Sequence, residues 1–555
     1  MDRGADRDVY HLVGYLLFLS ILRGADNEPE SKETIAAEIC MLIQENDHRM
    51  RVLHSELIMP NQRNEGLRQN LASLSSPPDT TPNYRFPSEV LSQIFGMALE
   101  GESFNVSDTT KGPWVFSYVC QPWRSAACGD PMLWTSIFVG DSSAHVPTYS
   151  TTQYPTLSSI TQPRKDSSSL LSTVLSRSNQ HDLKVVFNIS NNKVNIQTKS
   201  TIIALLQKVM EHSARWKDIS ICMPSELVRM LNAVESNVPH LEKLHVALSD
   251  VPAVLLLSIT AFKAAPALKE VSFEGLGADK FKGLPWSQVT SLTDVRESAG
   301  SYRTYTGILS SAPHLHTLIF KYHSECHLSM DGDSIVHAGL KSLTVCSNVF
   351  MEQVELPQLT SLTVTPPLTD HDINDHINAL ITSSGSSLQF LHVDFAIIDT
   401  VFFEILDSTP GLVHLKLNYP QWLCVHSESF DDFAQCMEEC SDSGEHELLP
   451  ALQSLEITIQ KDENRTATSL FGFIDSDLVD MVVSRWNIGA LKLFRFEADT
   501  TRVLEDLTIE DVTGLKKVKD EGLSITVVTT SKGLCYTTGH WDLRFDQEDH
   551  RCVYV

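Results

Sequence analysis

The sequence predicts an α/β protein in two parts: a small all-helical module, then an irregular solenoid of parallel strands with helices or loops along the other side. Three observations predict it. Apolar residues cluster at helical spacing between residues 84 and 139. After them an apolar phrase, Leu-x-x-apolar-x-apolar, returns ten times between residues 241 and 509. The chain is also 555 residues long and 42% apolar, which is material for a large core with appendages.

In chain order, residues 1–30 carry a hydrophobic segment, Val9 to Leu22, long enough for a signal-peptide core but short of a membrane span. Its flank argues against secretion, because Asp2, Arg3, Asp6, Arg7 and Asp8 sum to −1 where a secretory signal is positive. The expectation is a partly ordered hydrophobic helix. In residues 31–76, Ile39, Ile43, Asn46, Met50, Leu53 and Leu57 step by four and three, the spacing of a coiled-coil seam. Pro60 stops that seam early, so a short coiled coil and a single amphipathic helix folded back on the protein both stay open. Ser75-Ser76-Pro77-Pro78 makes a break.

Residues 84–139 form the helical module. Pro87 suits a first helical position, where its missing N–H costs nothing, and Glu89 in the first turn is favoured by the helix dipole. Val90, Leu91, Ile94, Phe95, Ala98 and Leu99 follow as a broad apolar stripe, and Trp114, Val115, Tyr118, Val119 and Trp123 make a second. Between them Gly101 to Gly112 is read as a polar loop. A unit of about fifty residues is marginal alone, and this one has more apolar surface than it can hide, which points to a binding partner.

The segments Phe86-Pro87-Ser88-Glu89-Val90-Leu91-Ser92-Gln93-Ile94-Phe95, Val119-Cys120-Gln121-Pro122-Trp123-Arg124-Ser125-Ala126 and Pro131-Met132-Leu133-Trp134 resemble, in order and spacing, the F-box. The resemblance is to the F-box-like proteins with C-terminal repeats that are abundant in mushroom-forming fungi. Phe86 stands where the family usually has leucine. Pro122 falls in a stretch the family makes helical, where an interior proline costs about 3 kcal/mol unless a kink absorbs it. By this resemblance, Pro87, Leu91, Ile94 and Phe95 would contact a Skp-type adaptor, with Val119 and Trp123 in support and Trp134 packed within the module; Cys120, lying in an apolar helical stripe, is read as a packing residue.

Residues 140–168, rich in Ser, Thr and Pro, read as a linker or loop. The repeats occupy 169–530. Their phrases begin at Leu241, Leu268, Leu315, Leu340, Leu359, Leu388, Leu412, Leu452, Leu491 and Leu504, with weaker copies at Trp216 and Val289. From 216 to 412 successive starts lie 19 to 29 residues apart, the period of leucine-rich repeats. Each phrase supplies a short strand, and each intervening segment returns. Several returns look helical, around Ile202 to Met210, Ile373 to Ile381 and Phe402 to Leu406. No repeat hides its apolar face alone, so the array folds together. The alternative, a doubly wound α/β domain, lacks support from any Gly-rich phosphate loop. Later the spacing stretches to 40 and 39 residues. The first excess holds an acidic insert at 426–449, read as a solvated loop; the second holds a helix with Ile474, Leu478, Met481, Val482 and Trp486 on one face. Asp480 to Trp486 and Leu515 to Leu523 also resemble late segments of the same fungal proteins, and 531–555 is read as a tail.

The net charge of −27 disfavours nonspecific nucleic-acid binding and anionic membranes, and eleven scattered cysteines without a CxxC pair read as reduced thiols of a cytoplasmic or nuclear protein. Sequons at Asn105, Asn188 and Asn464 would matter only in a secreted chain. No catalytic motif stands out, and no cofactor or metal is expected. Cys436, Cys440 and His446 lack a second pair of metal ligands, and Asp370, His371, Asp372, Asp375 and His376 read as helix-capping charges. The resemblance thus implies a non-enzymatic substrate adaptor of an SCF-type ubiquitin ligase, docking through its F-box on a Skp-type adaptor and so on a cullin-RING ligase. A non-degradative repeat scaffold and a secreted or surface recognition protein are the alternatives. If the strand phrases present one face to a target protein, its candidates are His245, Ser272, Ile319, Thr344, Thr363, His392, Lys416 and Glu456.

Overall fold

The computed structural model describes residues 86–99, 101, 103–140, 167–189, 196–234, 238–250, 258–296, 302–322, 334–346, 348–365, 372–394, 397–419, 425–441, 444, 446–459, 476–498, 509–529, 543–546 and 551–554. The Val9–Leu22 segment, the heptad stretch at 31–76 and almost all of the 140–168 run lie outside these residues. The chain divides at Phe86, and the fold described here is that of residues 87–555.

That unit opens with three helices, α1 (Ser88–Ala98), α2 (Pro113–Val119) and α3 (Gln121–Gly129), and a 3-10 turn at Pro131–Trp134. A parallel sheet of fifteen strands follows their packing, in simple chain order. Its strands are β1 (Phe104–Asn105), β2 (Ser136–Gly140), β3 (Leu183–Asn188), β4 (Trp216–Met223), β5 (Lys243–Leu248), β6 (Glu270–Glu274), β7 (Ser291–Arg296) and β8 (Thr317–Tyr322). After β9 (Ile335–Val336), which pairs apart from the sheet with β11 (Val354–Glu355), come β10 (Ser342–Val345), β12 (Ser361–Val364), β13 (Phe390–Asp394), β14 (His414–Tyr419), β15 (Ser454–Ile459), β16 (Leu493–Ala498) and β17 (Ser524–Thr529). A hairpin of β18 (Leu543–Asp546) and β19 (Arg551–Tyr554) ends the chain, β19 running antiparallel to β17. This is a solenoid-like α/β fold.

Helices return along one face of the sheet: α4 (Ser167–Arg177), α5 (Ile196–Glu211), α6 (Tyr302–Ser311), α7 (Asn348–Glu352), α8 (Ile373–Ser384), α9 (Thr400–Asp407), α10 (Val425–Glu438), α11 (Ser476–Asn487) and α12 (Ile509–Asp520). The register stacks Leu244, Val271, Leu292, Leu318, Leu343, Leu362, Leu391, Leu415 and Leu455 in one buried row. The strand alternation explains the row, since period-two apolar residues point to a single face. A second row, two residues on, is apolar from Val246 to Ile457 except at Asp294.

Asp294 is fully buried and fully satisfied. Its carboxylate accepts from the Ala278 amide at 2.9 Å, the Tyr305 hydroxyl at 3.1 Å and the Arg296 guanidinium at 2.9 and 2.5 Å. Arg296 also reaches Asp279 at 3.0 Å. Burial works to lower the Arg296 pKa, but the hydrogen bond and charge of Asp294 outweigh it and the net shift is upward. The guanidinium fills the space in which a side chain at residue 277 would stand, so that position is glycine.

Four expectations are corrected. The acidic insert at 426–449 is no solvated loop: α10 occupies much of it and buries Phe430, Phe433, Ala434 and Met437. The Gly101–Gly112 stretch contains β1, with Phe104 and Val106 buried, so the sheet begins inside the span given to the helical module. Ile509 starts α12 instead of ending a strand, and the next strand is β17. The 531–555 tail holds the β18–β19 hairpin.

Candidate docking surfaces

The stripe of α1 divides in two. Leu91 and Phe95, four residues apart, turn inward: Phe95 stacks on Phe116 with centroids 4.1 Å apart and meets Trp123 at 5.0 Å. Leu91 and Phe95 therefore form the module's own core, and Trp123 packs against it half-buried. That packing corrects the expectation that Leu91 and Phe95 contact a partner, whereas Trp123 keeps part of its surface. Pro87, Ile94 and Val119 stay outside, Ile94 at 39% and Val119 at 55% exposure. Met97, Val115, Tyr118 and Met132 join them, residues that the sequence reading did not select. These six side chains, Pro87 aside, are six of the eight exposed large hydrophobics among the described residues of 87–555; the others are Val336 and Ile488. Exposed large hydrophobics are thus concentrated on the segment from Ile94 to Met132.

Pro122 proves no obstacle. The chain breaks at Cys120, whose extended backbone (φ −158°, ψ 173°) ends α2 and precedes α3, so Pro122 falls in the first turn of a new helix. The same break leaves Cys120 exposed, which corrects its reading as a packing residue. Across the break the Arg124 Nε donates to the Ser117 carbonyl at 2.7 Å.

The module is joined firmly to the first repeat. Trp134 is fully buried and donates from Nε1 to the Ala127 carbonyl at 2.7 Å. Its ring meets Trp114 edge-on at 4.9 Å, and the Arg177 guanidinium at the end of α4 lies 4.5 Å from the Trp134 centroid and 5.0 Å from that of Trp114.

The second surface is the sheet face without helices. Strand register sets Ser220, His245, Ser272, Thr293, Ile319, Thr344, Thr363, His392, Lys416, Glu456, Arg495 and Thr526 side by side in one row. All eight expected target-facing residues fall in it, each half-buried. Four were missed: Ser220 and Thr293 follow the weaker phrases at Trp216 and Val289, Arg495 lies in the Leu491 phrase itself, and Thr526 stands on β17, for which no phrase was read. His245 Nδ1 and the Ser272 hydroxyl are 2.9 Å apart, and burial holds that imidazole below its ordinary pKa. His392 Nε2 lies 3.1 Å from Asp394, which also accepts from Asn418 at 2.8 Å. The row has a neutral centre with hydroxyls at Thr344 and Thr363, Thr293 being buried, and a charged C-terminal third at Lys416, Glu456 and Arg495.

The remaining polar groups have structural surroundings. Asp372 precedes α8 without a side-chain capping bond and Asp375 lies in its first turn, while His376 pairs with Glu352 at 2.7 Å; Asp370 and His371 lie outside the described residues. Asp399 is the capping residue the sequence reading passed over, accepting from the Phe402 amide at 2.8 Å and from Asn374 at 2.9 Å. Asn188, in a sequon, is buried at the end of β3. Among the described residues no helix is long and apolar enough to cross a membrane.

No family model matches the chain, and no curated protein matches it. Among solved structures, a crystal structure of a Bacteroides fragilis protein from a structural-genomics programme aligns over 60% of this chain and 82% of its own, at 12% identity and a TM-score of 0.28. That likeness is too slight to carry an argument about fold or function.

Proposed function

We propose that this protein is a substrate-recognition adaptor of an SCF-type ubiquitin ligase, in which the helical module is an F-box docking on a Skp-type adaptor and the solenoid is a leucine-rich-repeat array holding a target protein. The observation that carries the reading is the concentration of Ile94, Met97, Val115, Tyr118, Val119 and Met132 on the surface of the segment with the F-box-like sequence. Covering large apolar side chains stabilises a complex by roughly 1.5–3 kcal/mol each before the costs of association, so several together are a sufficient anchor. The firm joint at Arg177, Trp114 and Trp134 supports the role physically. A ligase adaptor contributes proximity and orientation, and a stiff connection between docking site and target site preserves both. In this reading the chain carries out no step of ubiquitin transfer itself, and the row running from Ser220 to Thr526 is the surface that meets the target.

The test is affinity purification of the full chain from its native cells, with wild type beside a variant carrying Ile94→Glu and Val119→Glu. Recovery of a Skp-type adaptor and a cullin with wild type, and their loss from the folded variant, is the expected result. A wild-type eluate without either protein overturns the reading.

A further inference from the structure

Where α10 ends, the chain makes a short hairpin that brings a thiol and an imidazole together. Cys440 and His446 form an isolated antiparallel bridge, and the Glu447 amide donates to the Glu439 carbonyl at 3.1 Å beside it. The Cys440 sulfur lies 3.5 Å from His446 Nδ1. The two side chains differ in access: Cys440 is exposed, whereas His446 is 3% exposed and held in place by its surroundings. Beneath them is Arg485, whose buried guanidinium is bonded to carbonyl oxygens and one sulfur, with no carboxylate among its partners.

The geometry points to Cys440 as a nucleophilic thiol, with His446 as its general base, forming a reversible mixed disulfide with a small-molecule disulfide. The proton on the Cys440 sulfur passes to His446 Nδ1 as the sulfur attacks. A new S–S bond joins Cys440 to one half of the reagent, the reagent's own S–S bond breaks, and the departing thiolate takes the proton back from His446. Cys440 is oxidised, and the released half of the reagent is reduced. With Nδ1 unprotonated the imidazole can take that proton, in competition with the Glu438 carbonyl, to which the thiol also donates at 3.3 Å. Burial first, and the Arg485 cation second, push the imidazole pKa down, against carbonyls of Glu438, Glu439 and Ser484 that push it up.

Neighbouring thiols lack this arrangement. Cys436, one helical turn earlier, is half-buried, and burial and the charges of Glu439 and Asp432 push its thiol pKa up. Cys120 is exposed like Cys440, but no imidazole hydrogen-bonds to it among the described residues. It is the internal comparison for exposure without a base. This site lies on the repeat array, away from the helical module's patch, and stands whether or not the chain serves a ligase.

The test treats the full-length folded protein with oxidised glutathione at neutral pH and follows each cysteine by peptide mass spectrometry. Cys440 should form its mixed disulfide about tenfold or more faster than Cys120. In His446→Gln, the Cys440 rate should fall to that of Cys120. Equal rates in the wild type overturn the proposal, and that comparison needs no variant to fold. A Cys440 advantage that persists in folded His446→Gln also overturns it, because exposure alone then accounts for the rate.

Discussion

The Arg485 side chain of α11 donates from Nε to the Met437 carbonyl at 2.8 Å, closing the C-terminal end of α10. It also reaches the Leu449 carbonyl at 3.1 Å and the Leu448 carbonyl at 2.6 Å. Arg215 does the same service near the chain's first repeats, bonding the His181 carbonyl at 2.9 Å and the Ser178 carbonyl and hydroxyl at 3.2 and 2.6 Å, just past α4. Both cations serve helix-end carbonyls that would otherwise lack donors.

Burial pushes the Arg485 pKa down to about 10, so it stays charged at neutral pH. Arg485→Met should cost about 2–4 kcal/mol, since it leaves several buried carbonyls without donors. Arg485→Lys should restore only part of this, because an ammonium cannot reproduce the planar fork. Urea denaturation of the three proteins measures it, and a stable Met variant would show that the carbonyls find other donors.

The two faces of α1 should separate in mutagenesis. Phe95→Ala, which removes a ring packed on Phe116 and Trp123, should destabilise by about 3–5 kcal/mol. Ile94→Glu, on the exposed face, should leave the melting temperature nearly unchanged and abolish partner binding. Thermal melting beside co-purification distinguishes the two effects.

Pro122→Ala should shift stability by less than about 1 kcal/mol, since the proline occupies a first helical turn with no hydrogen bond to restore. A large gain would mean that the α2–α3 break is forced by the proline and not by the packing around it.

Asp294→Ala should be among the most damaging single changes in the solenoid, costing about 3–5 kcal/mol, because it strands Arg296 buried and without its main counter-ion. Asp294→Asn keeps acceptors but loses the charge, and should fall between. Chemical denaturation gives both values.

His212, His245 and His446 are each held below the ordinary value of 6.5, with burial the largest cause. Unfolding restores the ordinary pKa. Below about pH 6.5 the unfolded chain therefore binds protons that the folded chain does not, and stability falls as pH drops. The melting temperature should decline between about pH 7.5 and pH 6, and His245→Asn should remove part of the decline. A flat profile in that window would contradict the assignment.

Much of the sheet could be read from the chain because alternation of period two is a local property. Leu241, Leu315 and Leu388 announce their strands wherever they occur, and the same alternation names His245, Ile319 and His392 as residues of the open face. β7 was faint for a physical reason: its second inward position is Asp294, whose partners come from Ala278, Arg296 and Tyr305 and are invisible to periodicity. Arg215 and Arg485 were missed because a charged residue reads as surface until its carbonyl partners are known. Arg485 did leave a trace, standing three and four residues after Val482 and Met481 on the apolar side of α11. In the helical module the excess of apolar residues was legible, but not its partition. Leu91 and Ile94 look alike in sequence, and only the rings of Phe116 and Trp123 decide which side of α1 is core.

A parallel array carries no internal signal to stop, and its terminal strands invite continuation by another molecule. Beyond β17 the direction is reversed: β19 lies antiparallel on β17 and pairs in turn with β18. At the opposite margin β1 offers only two residues. At one end an incoming β-strand would meet the four-residue β18 in place of a long parallel strand, and at the other almost no template. Both described margins of the sheet are therefore poor templates, and copies should remain separate in concentrated solution instead of stacking into filaments.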